Sequence, residues 1–169
     1  NNFLKIKNIN LNPSRTGIIK ILKMMGSEIK ILNLRYYKGE KIGDIIVRSS
    51  DNLRSINLDS RYNSSAIDEF LLIFLVASKC NGVSTFNNLS ELNKKESKRL
   101  DWGIKILSFM GVKVKKIKNS GIKIWGKKNL KIHKKIIIKN YLKDHRILMV
   151  CAIAGLALGG KWKIYDQNS

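Results

Sequence analysis

Lys95, Glu96 and Arg99 stand in the stretch "NKKESKRLDWGIKILSFMGVKV" (Asn93–Val114), where one glutamate sits among Lys94, Lys95, Lys98 and Arg99. A carboxylate surrounded by cations suits chemistry on an anion: the cations hold a carboxylate or phosphate, and the acid gives or takes a proton. An apolar helical pattern follows at once, so the cluster falls where a helix macrodipole is already positive. Three other polar clusters precede apolar runs: Arg15-Thr16, Asp68-Glu69 and Asp144-His145-Arg146. Helix N-termini bind phosphate and carboxylate groups. Any one cluster alone reads as capping plus solvated charge. Four together on one face would form an anion site that carries its own acids.

The elements that must position these residues follow from periodicity. Leu4–Ile9 alternates as a strand; Asn12 and Pro13 suit the N-cap and first position of a helix over Arg15–Met25, which Gly26 ends. Ile29–Leu34, Asp44–Val47 and Ile56–Leu58 read as strands, with "YYKGEKIG" as a hairpin loop. A helix capped by Ser64 or Ser65 runs to about Lys79, and Val83–Phe86 is a strand. The opening stretch supplies a helix over Lys95–Met110, which would place Lys95, Glu96 and Arg99 on one helix surface. Val112–Ile117 and Ile122–Trp125 form a hairpin around "NSG", and Ile136–Ile138 is a short strand. Asp144 caps the last helix, and Lys161–Tyr165 is the last strand.

These elements repeat. "RTGIIKILKMMGSEIKI" (Arg15–Ile31) echoes "RLDWGIKILSFMGVKVKKI" (Arg99–Ile117). "DEFLLIFLVASKCNGVSTFNN" (Asp68–Asn88) echoes "DHRILMVCAIAGLALGGKWKIYDQN" (Asp144–Asn168). Such self-similarity points to a stacked α/β supersecondary unit.

Composition bounds the reading. The 169 residues allow one domain with a real core, and 44% hydrophobic content excludes a disordered tail. The net charge of +21 points to an anionic partner, whether nucleic acid, a membrane surface or small molecules. A chain rich in Ile, Lys and Asn with one proline also has the composition of AT-rich coding sequence, in which surface positions drift to lysine. Cys80 and Cys151 lack CxxC neighbours and read as buried free thiols of a reducing cytoplasm. The apolar run Ile147–Leu158 falls short of the roughly 20 residues a membrane span needs. Neither end reads as a natural terminus, so the chain is expected to be cut from a longer one. His133, Trp125, Trp162 and Tyr36-Tyr37 read as surface or packing residues.

Five segments in order resemble the enolpyruvyl transferases, and within them the 3-phosphoshikimate 1-carboxyvinyltransferase (EPSP synthase) family. They are "LNPSRTG" (Leu11–Gly17), "IIVRSSDNLRSI" (Ile45–Ile56), "SSAIDEFLLIFLVAS" (Ser64–Ser78), "LSELNKKESKRL" (Leu89–Leu100) and "DHRILM" (Asp144–Met149). Glu91 places the wording closest to a microbial branch. The resemblance implies an α/β (α+β) lobe of βαβαββ repeats, an incomplete, inside-out barrel-like arrangement. Residues 1–169 would be a single domain, most of the C-terminal lobe, with the N-terminal lobe and its N-A-G-T signature absent.

It further implies transfer of the carboxyvinyl group of phosphoenolpyruvate to the 5-hydroxyl of shikimate 3-phosphate, in the cytoplasm, with no cofactor or metal. Asp68 matches the aspartate that contacts the 5-hydroxyl, and Glu96 the glutamate that moves a proton at the methylene carbon. Lys95 matches a lysine reaching both substrates; Arg99 and Arg146 match arginines that hold phosphoenolpyruvate. His145 and Glu91 match further site positions. The chain departs from the family pattern at Asn93, usually basic; at Lys98, usually Asp or similar; and at Trp102, usually small. Three other readings compete, one of them a decayed, non-catalytic relic of the transferase. The UDP-N-acetylglucosamine enolpyruvyl transferases share the fold but fit these motifs less well. A basic nucleic-acid-binding domain would use "KVKKIK" and "KKNLKIHKK", but no RNP, helix-turn-helix, KH or zinc pattern accompanies them.

Overall fold

The computed structural model describes residues 2–166. Its elements are β1 (Phe3–Asn10), α1 (Gly17–Met24), β2 (Glu28–Tyr37), β3 (Glu40–Arg48), β4 (Asn57–Leu58), α2 (Phe70–Lys79), β5 (Gly82–Phe86), α3 (Arg99–Phe109), β6 (Lys113–Ile117), β7 (Gly121–Gly126), β8 (Lys135–Lys139), α4 (His145–Leu158) and β9 (Lys161–Tyr165). Short 3₁₀ turns cover Ser60–Tyr62, Ser64–Glu69 and Ser90–Lys94.

The expected repeat is present as sheets. β4, β5, β7 and β6 lie in that order, with β4 parallel to β5 and the other pairs antiparallel. In chain order this is β4–α2–β5–α3–β6–β7, one complete βαβαββ unit. The sheet β1–β3–β2 repeats the order β5–β7–β6, with α1 in the place of α3. The parallel pair β8–β9, joined by α4, repeats β4–α2–β5. Among the described residues no sheet closes into a barrel.

The core sits on α2, whose sequence "FLLIFLVASK" is apolar on every side, as a helix enclosed by neighbours must be. It packs against α1, α3, α4 and β7. Phe70, Phe74 and Phe86 meet at centroid distances of 5.4 to 6.2 Å in tilted and edge-on arrangements. Cys80 and Cys151 are buried free thiols, and burial pushes them up to about 11 and about 12.

Three helix starts differ from expectation, and each difference shapes the site. Asn12 does not cap α1; its Oδ1 accepts from the Ser14 backbone N–H at 3.0 Å and closes a turn, so α1 begins at Gly17. The helix expected from Ser64 begins at Phe70, because a 3₁₀ turn kinked at Ala66 comes first. The helix expected from Lys95 begins at Arg99, since Lys95 is extended. The Asn93 Oδ1 takes the Leu100 and Asp101 N–H groups at 3.0 and 3.3 Å. A helix running through Glu96 and Ser97 would have satisfied those donors with its own carbonyls. The "YYKGEKIG" segment is also mostly strand, with Lys38 and Gly39 alone at the turn, both at positive φ.

Candidate active site

Four cations from four segments converge on one carboxylate. Asp68 lies near the end of the Ser64–Glu69 3₁₀ turn that leads into α2. Its Oδ1 is 3.1 Å from Arg99 Nη1 and 3.7 Å from Lys95 Nζ. Its Oδ2 is 3.2 Å from Arg15 Nη1 and 3.5 Å from Arg146 Nη2. Arg146 also donates Nη1 to the Asp68 carbonyl at 2.9 Å and lies 3.6 Å from Glu69. Close packing brings these segments together. A Cβ on Gly17 would lie 2.2 Å from Ser65 Oγ, so only glycine lets α1 start against the Ser64–Glu69 turn, which places Arg15 over Asp68.

Arg99 joins the second acid to this cluster. Its side chain is 2% exposed, and its three nitrogens face three carboxylates. Nη1 reaches Asp68, Nη2 pairs with Glu96, and Nε donates to Asp144 Oδ2 at 2.9 Å. Asp144 caps α4 as expected, through Oδ1 and the Arg146 N–H, and it accepts from Ser97 Oγ at 2.8 Å. Glu96 is 63% exposed on its side chain and remains open to solvent.

The charges set the protonation states. Burial pushes the Asp68 carboxyl up, but Arg146, Lys95, Arg99 and Arg15 outweigh it and hold the group below the usual carboxylate range. Asp144 is treated alike: burial raises it, and hydrogen bonds from Arg99, Ser97 and the Arg146 N–H bring it below its ordinary value. Burial lowers Arg99, yet Asp144 and its other acids keep it above its usual value. Glu69 goes the other way, raised by burial and by the charge of Asp68 despite Arg146 and Arg15. Beside these groups a polar cavity of about 170 Å³ is lined by Ser14, Arg15, Ser64, Asp68, Glu69 and Lys95, among others. A larger groove of about 320 Å³ lies between α1 and the β1–β3–β2 sheet, away from the acids.

Asp68, Lys95, Glu96, Arg99 and Arg146 are thus brought together. They do not share one helix surface, because Lys95 and Glu96 precede α3. Two matched residues bond to none of these groups. The His145 side chain is exposed and makes no hydrogen bond or ion pair among the described residues. Glu91 is exposed and pairs with Lys94 at 2.8 Å. Arg15 joins Asp68; sequence marked it only as part of a polar cluster. Ser97 and Asp144 hold Arg99 from within the core, and nothing in their spacing reveals that contact. The departures are accommodated: Asn93 caps α3, Lys98 is exposed, and Trp102 lies half-buried with Lys105 Nζ 4.4 Å over its ring.

No helix among the described residues is long and apolar enough to cross a membrane. No group of three His, Cys, Asp or Glu side chains placed to hold a metal occurs among them.

The repeated βαβαββ arrangement is the fold of the enolpyruvyl transferases. A crystal structure of such a transferase from Streptomyces tendae superposes with a TM-score of 0.64 over 97% of this chain and 34% of that one; at 12% identity the likeness is one of fold. The family model for EPSP synthase (3-phosphoshikimate 1-carboxyvinyltransferase) matches residues 2–169, and the chain belongs to that family. A 3-phosphoshikimate 1-carboxyvinyltransferase of Thermodesulfovibrio yellowstonii is 39% identical over 164 residues, which are 96% of this chain and 37% of that protein. The EPSP synthase of Acinetobacter baumannii has a TM-score of 0.83 at 33% identity, over 91% of this chain and 35% of that one. The chain therefore spans about a third of the length of the relatives it matches.

Proposed function

We propose that the protein serves, as most of a C-terminal lobe, in transfer of the carboxyvinyl group from phosphoenolpyruvate to the 5-hydroxyl of shikimate 3-phosphate. The products are 5-enolpyruvylshikimate 3-phosphate and phosphate, in the cytoplasmic pathway to aromatic amino acids. The observation that carries this reading is the joining of Asp68 and Glu96 through Arg99, with Arg15, Lys95 and Arg146 around them. An N-terminal lobe supplies the opposite wall of the cleft, and the 169-residue chain alone does not turn over.

In this reading Asp68 takes the proton of the 5-hydroxyl as its oxygen adds to C2 of phosphoenolpyruvate. Glu96 donates a proton to C3, making the methyl of a tetrahedral ketal. Glu96 then takes a proton back from that methyl as the C2–O bond to phosphate breaks, and the proton held by Asp68 leaves with the phosphate. Lys95 and Arg146 hold the substrate carboxylate and phosphate, while Arg99, matched to a substrate-holding arginine by motif, is buried with its three nitrogens on carboxylates and stays on the acids. Each of Arg15, Lys95 and Arg146 that turns from Asp68 to a substrate anion leaves Asp68 more basic, so binding itself prepares the base.

The test joins the chain to an intact first lobe bearing the N-A-G-T signature and follows phosphate release from phosphoenolpyruvate with shikimate 3-phosphate. Turnover is expected, and Glu96→Gln should lower it roughly 10²–10⁴-fold. Equal turnover by Glu96→Gln rejects the assigned role. No turnover, with both lobes folded and both substrates bound, overturns the reading.

A further inference from the structure

Arg99 is nearly inaccessible, yet it contacts both acids of the proposed reaction. Its planar guanidinium has a fixed fork of donors, so the direction of one edge sets the direction of the others. The Nε edge is the one held inside the protein: it donates at 2.9 Å to Asp144 Oδ2, whose side chain is fully buried. Ser97 Oγ donates to the same oxygen at 2.8 Å, and Ser97 is itself 2% exposed. The other Asp144 oxygen accepts the Arg146 N–H at 2.9 Å. One buried carboxylate is therefore bonded from the segment before α3, from the first residue of α3 and from the first turn of α4. The outward edges of Arg99 then hold Asp68 and Glu96.

We propose that Ser97 and Asp144 are positioning residues that lock Arg99, and that this lock sets the placement of Asp68 and Glu96 for proton transfer. The proposal rests on the functional reading above. Neither residue is expected to touch substrate. A buried carboxylate used only to cap α4 needs the backbone N–H contact alone; the Ser97 hydroxyl and the Arg99 Nε on its second oxygen serve α3 instead. The pairing is also costly to break on one side, because an unpartnered buried charge is strongly unfavourable. That makes the direction of Arg99 a stiff feature of the core. Placement errors near 1 Å at reacting groups can lower rates about 100-fold, so a stiff support has a kinetic effect out of proportion to its distance from the reaction.

Two readouts test the lock separately from the function. The first is hydrogen exchange at Arg99 Nε–H, followed by NMR in this chain. Slow exchange is expected in the wild type, faster exchange in Ser97→Ala, and loss of protection in Asp144→Asn. The same rate in all three overturns the lock. The second is steady-state kinetics of the two-lobe enzyme, normalised to folded protein. Ser97→Ala, which leaves every charge in place, should lower kcat roughly 10–100-fold while KM for shikimate 3-phosphate stays within about 3-fold. A Ser97→Ala enzyme that loses only thermal stability, with unchanged kcat per folded molecule, overturns the positioning role. Should Asp144→Asn fail to fold, Ser97→Ala decides. An inactive wild-type enzyme refutes the functional reading, and the exchange readout still decides the lock.

Discussion

Asp68 is an aspartate whose chemistry is set by its neighbours. Alone on a surface it would be an ordinary carboxylate. Between Arg15, Lys95, Arg99 and Arg146 its ionised form is favoured despite partial burial. Asp144 is favoured likewise by Arg99, Ser97 and a backbone donor. Both folded-state values lie below the unfolded value of about 3.9. The stability they contribute is therefore complete above that value, and it is lost as pH falls through the lower folded values. Urea unfolding of the chain should give a midpoint that is flat above about pH 5 and falls steadily below about pH 4. Asp144→Asn should show a lower midpoint at neutral pH and a shallower fall in acid. A midpoint that rises on acidification in the wild type would contradict the assignment. Glu69, raised by burial, works in the opposite sense and moderates the fall.

At the scale of elements, the site depends on where helices start. α3 begins at Arg99 because the Asn93 side chain meets the Leu100 and Asp101 N–H groups. Asn93→Ala removes that cap, and a loss of about 1 kcal/mol is expected from urea unfolding. α1 lies against the Ser64–Glu69 turn because Gly17 has no Cβ to meet Ser65. Gly17→Ala should destabilise by about 1–3 kcal/mol, since part of the obstruction is Ser65 backbone, which cannot rotate away. It should also move Arg15 away from Asp68. Gly17→Ala unfolding at the wild-type midpoint would show that α1 and the turn are free to separate. α2 and α3 approach through Gly103, where a Cβ would stand 2.9 Å from a Phe74 ring carbon.

Taken whole, the molecule has one main core on α2 and several exposed apolar stretches. Met149, Ile153 and Leu156 of α4 are 53%, 45% and 86% exposed, and their spacing puts them along one helix side. The corresponding residues after Asp68 (Ile73, Ala77 and Cys80) are fully buried. A contiguous apolar side of this kind marks a contact surface. The isolated chain should bind an apolar fluorescent dye, and Leu156→Lys should reduce that signal without lowering the urea midpoint. Unchanged dye fluorescence in Leu156→Lys would locate the exposed surface elsewhere. Catalysis in a two-lobed cleft requires closure that excludes water, so this chain by itself should release no phosphate from phosphoenolpyruvate.

The sequence alone determined the repeat, the order of helices and strands and the family, and it marked Asp68, Lys95, Glu96, Arg99 and Arg146, which the fold brings together. Apolar periodicity, glycine stops and motif wording are local quantities, and each is written in a few adjacent residues. The capping of α4 by Asp144 was legible for the same reason. The helix starts were not, because competing hydrogen bonds decided them: Asn12 accepting from the Ser14 N–H, Asn93 accepting from the N–H groups of Leu100 and Asp101. Nor was it legible that His145 and Glu91 bond to none of these groups, since motif position does not fix a side chain's partners. The hub at Asp68 and the contacts of Asp144 with Ser97 and Arg99 join residues as far as 78 positions apart. Only packing of α1, α3 and α4 around α2 brings them within hydrogen-bond distance. That packing is decided by glycine-sized gaps and buried charge pairs that exist once the chain has closed on itself.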